Sequence, residues 1–130
     1  MKIAVPRETL PGERRVALVP DAVARLTKLG LEVLVEEGAG AAAFCGDHAY
    51  VAHGARIVPD SAALFAEADL VLKVQKPSLE EADRLREGCA LVSFLQPHAS
   101  LELVRRLAER RVTAFSMEAA TGQLTPHAAV

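Results

Sequence analysis

Residues 1–40 read MKIAVPRETLPGERRVALVPDAVARLTKLGLEVLVEEGAG, and the order of patterns within them decides the fold. Ile3–Val5 and Val33–Val35 are short apolar runs without polar alternation, as suits strands covered on both faces. Between them, Asp21–Leu29 sets Ala22, Val23, Leu26 and Leu29 on one helical face. It stops at Gly30, a residue suited to the left-handed position after a helix. Strand, helix, strand with apolar strands is the parallel crossover unit. Further strands are expected at Arg56–Val58, Leu70–Val74, Ala90–Leu95 and Val112–Met117. Helices are expected at Asp47–His53, at Ser61–Glu67 behind a capping Asp60, after the Ser78…Glu81 capping box, and after a capping Ser100. The last two should face inward with Leu79, Ala82 and Leu85, and with Leu103, Val104, Leu107 and Ala108. The sum is an α/β fold: a doubly wound, mainly parallel sheet of about six strands with helices on both faces, of flavodoxin-like kind. Leu26 and Leu72 are expected in its core.

Composition agrees with one such domain. The chain has 130 residues, of which 51% are apolar, so it can bury a core and is not disordered. It has no tryptophan and only 4% aromatics, so that core must be built of Ala, Val and Leu. Fifteen basic against seventeen acidic residues give no basic field for nucleic acid. No apolar run approaches a membrane span, and the N-terminal run is too short for a signal peptide. Cys45 and Cys89 stand far apart in no metal-ligand spacing and read as free thiols of a reducing compartment. A cytoplasmic location is expected.

One segment interrupts the alternation. From Pro6 to Val19 the chain has no periodicity and carries Arg7, Glu8, Glu13, Arg14 and Arg15. Long irregular loops in compact domains are usually functional or disordered, and this one follows a strand end, where open α/β sheets place ligands. In a parallel sheet all carboxyl ends share that edge. It would gather Arg7 and Glu8 after the first strand, Gln75 and Lys76 after the fourth, Gln96 and His98 after the fifth, and Glu118 after the sixth. Arg14 and Arg15 would be brought near by the loop. Such a set suits a small anion or the polar end of a cofactor; it is equally the ordinary polarity of strand ends. Lys73 falls inside an apolar strand and needs a partner, for which Glu8 and Glu118 are placed. A structural ion pair is its plainer reading. Gly38-Ala39-Gly40 reads as a turn rather than a dinucleotide fingerprint, because Ala43 holds the third glycine position and no helix opens there. His48 and His53 lie five apart and share no helical face, so no metal site is assigned. There is no nucleophile elbow and no P-loop, and no catalytic residue is assigned.

The blocks K-I-A-V-P-R-E…P-G-E-R-R-V-A-L-V-P, E-V-L-V-E-E-G-A-G, A-H-G-A-R-I-V and A-D-L-V-L-K-V-Q-K-P follow one another in order. Together they resemble the N-terminal lobe shared by alanine dehydrogenases and the alpha subunit of nicotinamide nucleotide transhydrogenase. The resemblance covers residues 1–118; residues 119–130 depart from the family pattern as a tail. Alanine dehydrogenases bind pyruvate with an arginine matched by Arg15 and with a lysine where this chain has Gln75. They also use a catalytic histidine where it has Gln96, and His98 comes two residues late. Val74-Gln75-Lys76-Pro77 is similar to the transhydrogenase version. The resemblance therefore implies the N-terminal lobe of the alpha subunit of a proton-translocating NAD(P) transhydrogenase, which passes hydride between NAD(H) and NADP(H). It implies that Arg15, Lys73, Gln75, Gln96 and Glu118 face another domain or its cofactor. The family's R-A-Q-x-M-D loop and glycine-rich Rossmann domain find no counterpart in Ala119–Val130. NAD is thus the cofactor by resemblance, with none expected to bind this chain alone and no activity expected of it alone. Its partners would be a Rossmann domain or other transhydrogenase subunits, with a homodimer as a further arrangement, and its place peripheral to a membrane complex. Two other readings stand beside this one: a non-catalytic interaction module, and the lobe of an alanine dehydrogenase-like oxidoreductase.

Overall fold

The computed structural model describes residues 1–96 and 99–120. Six strands alternate with helices: β1 (Lys2–Val5), α1 (Pro20–Lys28), β2 (Glu32–Glu36), α2 (Asp47–Ala52), β3 (Arg56–Val58), α3 (Ser61–Glu67), β4 (Leu70–Leu72), α4 (Leu79–Arg84), β5 (Ala90–Ser93), α5 (Leu101–Glu109), β6 (Thr113–Ser116) and α6 (Met117–Ala120). His98 and all but the first two residues of the expected 119–130 tail lie outside the described residues, and those two fall in α6.

Every strand pairs in parallel, in the order β3-β2-β1-β4-β5-β6. The chain steps outward twice from β1 and then returns to its other side, so the doubly wound fold expected from the alternation is the one observed. Its switch point lies between β1 and β4, where Ala4 stands opposite both Leu34 and Val71.

Local signals set the helix ends. Pro20 opens α1, where its missing N–H costs nothing, and Gly30 follows that helix at φ +86°. Asp60 accepts from the Ala63 N–H at 2.8 Å, and Ser78 with Glu81 forms the reciprocal capping box of α4. Ser100 does not cap α5; its hydroxyl accepts from Lys76 Nζ at 2.9 Å instead. Strands end earlier than their apolar runs. Beyond β4 the ladder still continues, with Lys73 N–H bonded to Val92 and Phe94 N–H to Val74. Met117, expected to end a strand, begins the single turn of α6.

The two sheet faces are unequally covered. On one, α3, α4 and α5 bury Ala4, Leu34, Val71, Leu91 and Ala114 with Phe65, Leu85 and Leu107. On the other, α1 and α2 cover only the β1–β3 half, packing Val23 and Tyr50 on Val5, Val33 and Val35. Over β4–β6 that face has no helix among the described residues: Leu70, Leu72, Ala90 and Val92 are half-buried, and Phe115 is 44% exposed. This corrects the expectation for Leu72, which lies on the uncovered half. Leu26 also reaches only the margin of its cluster, and Leu29 is exposed, because α1 leans on the sheet through Val23.

Candidate functional site

The carboxyl edge of β1 and β4 is organised by Glu8. Its Oε2 accepts from the Val74 N–H at 2.8 Å, and its Oε1 from the Gln75 N–H at 3.0 Å and Lys73 Nζ at 3.3 Å. One carboxylate from the opening loop thus seals the switch point by bonding the chain that leaves β4. Lys73 is shared with a second carboxylate, Glu81 of α4, at 3.6 Å. The Lys73, Glu8 and Glu81 side chains are 2%, 3% and 9% exposed. Buried charge is tolerated only when paired and hydrogen-bonded, and here each group is. Glu8 is therefore a partner of Lys73, as its position in sequence suggests. Glu118 makes other bonds, described below.

A third carboxylate, Glu13, ties Arg15 to Gln75. Its oxygens accept from Arg15 Nε and Nη2 at 2.9 and 2.8 Å and from the Arg15 backbone N–H at 2.8 Å. Gln75 Nε2 donates to Glu13 Oε1 at 2.6 Å. These bonds, the Arg15 guanidinium foremost and the Gln75 amide next, hold the Glu13 carboxyl well below the usual carboxylate range. Arg15 lies over the Phe94 ring at 5.9 Å from its centroid. It thereby rims a hollow of about 380 Å³ lined by Val16, Leu72, Val74, Val92 and Met117, at the margin of the uncovered sheet face.

Gln96 and Glu118 meet at the ends of β5 and β6. The Glu118 carboxylate accepts the Leu95 and Gln96 backbone N–H groups at 3.0 and 2.9 Å, and the Ser116 hydroxyl as well. Burial opposes its charge, but the Ser116 hydroxyl and then these backbone donors outweigh it, and its pKa is lowered. Gln96 is held with φ at +47°, a left-handed conformation uncommon outside glycine. A cleft of about 450 Å³ joins Gln75, Lys76, Ser78 and Gln96 to Thr9, Leu10 and Pro11 of the opening loop. Arg15, Lys73, Gln75, Gln96 and Glu118 therefore all stand on one carboxyl edge, Arg15 on the first hollow, Gln75 and Gln96 on the second, Lys73 on both, and Glu118 behind Gln96 through its backbone bonds.

Three residues that build this edge escaped the sequence reading. Glu13 appeared only as one charge of the loop, Phe94 as part of a strand, and Glu81 as half of a capping box. That box does hold, with Glu81 Oε1 on the Ser78 N–H, while Oε2 reaches Lys73.

The glycine turn after β2 does not fit a dinucleotide. A Cβ at Gly40 would stand 2.6 Å from the Cys45 carbonyl and 2.7 Å from the Tyr50 ring, so the glycine permits close packing rather than approach by a phosphate. A short 3-10 turn, Ala41–Ala43, follows it. Tyr50 donates its hydroxyl to the Leu18 carbonyl at 2.7 Å, and burial pushes its pKa up to about 12. His53 bonds Ala49 and Asp21. Among the described residues no group of His, Cys, Asp and Glu is arranged to hold a metal, and no helix is long and apolar enough to cross a membrane.

Residues 4–127 match the sequence model of the family described as alanine dehydrogenase/PNT, N-terminal domain. The chain belongs to this family. It is 45% identical over 118 residues to NAD(P) transhydrogenase subunit alpha of Cereibacter sphaeroides, covering 91% of this chain and 23% of that protein. It is 39% identical over 118 residues to alanine dehydrogenase of Mycobacterium tuberculosis, covering 91% and 32%. The crystal structure of transhydrogenase from Sinorhizobium meliloti superposes with a TM-score of 0.86 at 33% identity, over 91% of this chain and 35% of that one. The alanine dehydrogenase/PNT N-terminal domain thus accounts for nearly all of this chain, whereas the chain spans only 23% to 35% of the length of these relatives.

Proposed function

We propose that this domain is the first lobe of an NAD(P) transhydrogenase alpha subunit, working in hydride transfer between NAD(H) and NADP(H) together with a nucleotide-binding domain. The observation that carries the reading is the constellation at the carboxyl edge. Gln75 is locked to Glu13, and by the resemblance it stands where alanine dehydrogenases have a substrate lysine, with Gln96 where they have a catalytic histidine. An amide can neither replace the ammonium charge toward a keto acid nor transfer a proton as imidazole does. The edge serves instead as a positioning surface: Arg15, Gln75, Gln96 and Glu118 line the side that faces the partner domain and its cofactor.

Two further features support the reading. The apolar half-face over β4–β6 is of the kind that additional polypeptide covers, as an interdomain contact requires. The misfit of the Gly38–Gly40 turn to a pyrophosphate supports a dinucleotide site outside this lobe. NAD(H) would be held by the partner domain, and the lobe alone is inactive and does not bind it. It acts on the cytoplasmic side, attached through its partners to a proton-translocating membrane complex.

The test is Arg15→Ala at the matching position of a complete transhydrogenase alpha subunit. The reading expects kcat/KM for hydride transfer to fall by about tenfold or more. Unchanged cofactor binding and hydride transfer would make this edge structural only.

A further inference from the structure

The turn after β2 carries an aromatic ring that its own lobe does not use. Phe44 is 95% exposed, against 75% for Leu29, the next most exposed large apolar side chain among the described residues. Its φ of +61° lies in the left-handed region, where a bulky residue is an outlier and glycine would sit without strain. A single exposed apolar side chain is ordinary on a protein surface. One held in a costly backbone conformation points to a gain made elsewhere. The turn is also built to keep that conformation. The Phe44 N–H donates to the Ala41 carbonyl at 3.2 Å and the Cys45 N–H to the Gly40 carbonyl at 2.9 Å, so the backbone is tied on both sides of the ring. Asp47 Oδ1 accepts from the Gly38 N–H at 3.0 Å, and Gly40 packs closely on Tyr50. An aromatic side chain on a fixed backbone loses little entropy when a partner covers it, which suits an interface anchor.

We infer that Phe44 is the anchor by which this lobe docks into an apolar pocket of a nucleotide-binding domain. The turn and the carboxyl edge form one continuous surface: a hollow of about 130 Å³ runs from Ala41 and Ala42 to Arg7, Glu13 and Arg15. A domain seated over Arg15 therefore meets the turn as well. Ala41 and Ala42 are exposed and small, so its surface can close around the ring. The relatives have the polypeptide to supply such a domain, since the lobe covers only 23% of the Cereibacter sphaeroides protein and 35% of the Sinorhizobium meliloti one. The turn that does not fit a pyrophosphate thus has a role of its own, as the knob of an interdomain contact. The inference rests on the reading that this edge faces such a domain, and it adds the residue that fixes the contact and the apolar pocket the contact requires.

The test replaces Phe44 with 4-fluorophenylalanine in two proteins. One is the full chain; the other is a complete Cereibacter sphaeroides alpha subunit whose matching lobe is exchanged for residues 1–118 of this chain. The fluorine resonance is compared in light and heavy water, because an exposed ring shows a solvent isotope shift and a buried one does not. The chain alone is expected to show the full isotope shift, and the chimera to lose most of it. A chimera that keeps the full shift would overturn the inference. Phe44→Asn supplies a second measurement, since asparagine tolerates the left-handed backbone and keeps none of the ring. The chain carrying it is expected to melt no lower than the unsubstituted one. A lower Tm would mean that the ring packs on its own lobe, and would also overturn the inference. Hydride transfer by the chimera reads the broader proposal separately. Transfer with an exposed ring refutes the anchor alone; a buried ring with NADH bound normally but no transfer supports the anchor and refutes the transhydrogenase reading.

Discussion

Lys73 and Glu13 carry opposite kinds of charge problem, and each gives a prediction. Lys73 is buried between two carboxylates, so removing its ammonium leaves Glu8 and Glu81 uncompensated. Lys73→Met is expected to cost about 3–5 kcal/mol in urea denaturation, and adding Glu8→Gln to cost less than the sum of the two single changes. A loss under about 1 kcal/mol would show that the pair has little structural weight. Glu13 has a lowered folded-state pKa, so its bonds contribute stability above the unfolded value of about 4.3, and that contribution fades as pH falls through the lower folded value. Glu13→Gln should therefore lower the Tm at neutral pH, with the gap to the unsubstituted chain narrowing below about pH 4. A gap constant from neutral to acid pH would contradict the Arg15–Glu13–Gln75 linkage. The need of Lys73 for a carboxylate was legible in the sequence, because a lysine among Leu and Val has few other solutions. The choice of Glu81 as second partner was not: it depends on how α4 crosses the sheet.

At the scale of elements, the strand and helix order was legible because each element carries its own period and stop signal. What could not be read was which apolar strand residues are covered. Leu72, Val92 and Phe115 look like Val71, Leu91 and Ala114 in sequence, but alternate side chains point to opposite faces and only one face carries α3, α4 and α5. Two substitutions separate the faces. Leu91→Ala should destabilise by about 2–5 kcal/mol, whereas Phe115→Ala, on the uncovered half, should stay within about 0.5 kcal/mol. A large cost at Phe115 in the isolated chain would mean that its face is covered after all.

For the whole molecule, the lobe has a complete parallel sheet and an ordered polar edge, but its glycine turn is filled by Tyr50. Titration calorimetry with NADH is therefore expected to show no binding to the chain alone; low-micromolar, one-site binding would place a nucleotide site within it. The central claim, that this is a transhydrogenase lobe acting with a partner domain, is tested most directly by exchange. Residues 1–118 of this chain are substituted for the matching lobe of the Cereibacter sphaeroides alpha subunit, to which it is 45% identical over 118 residues. Hydride transfer by the complete enzyme is then measured, with NADH affinity as the check on folding. The account predicts hydride transfer within about tenfold of the parent enzyme. A chimera that binds NADH normally but transfers no hydride would contradict it.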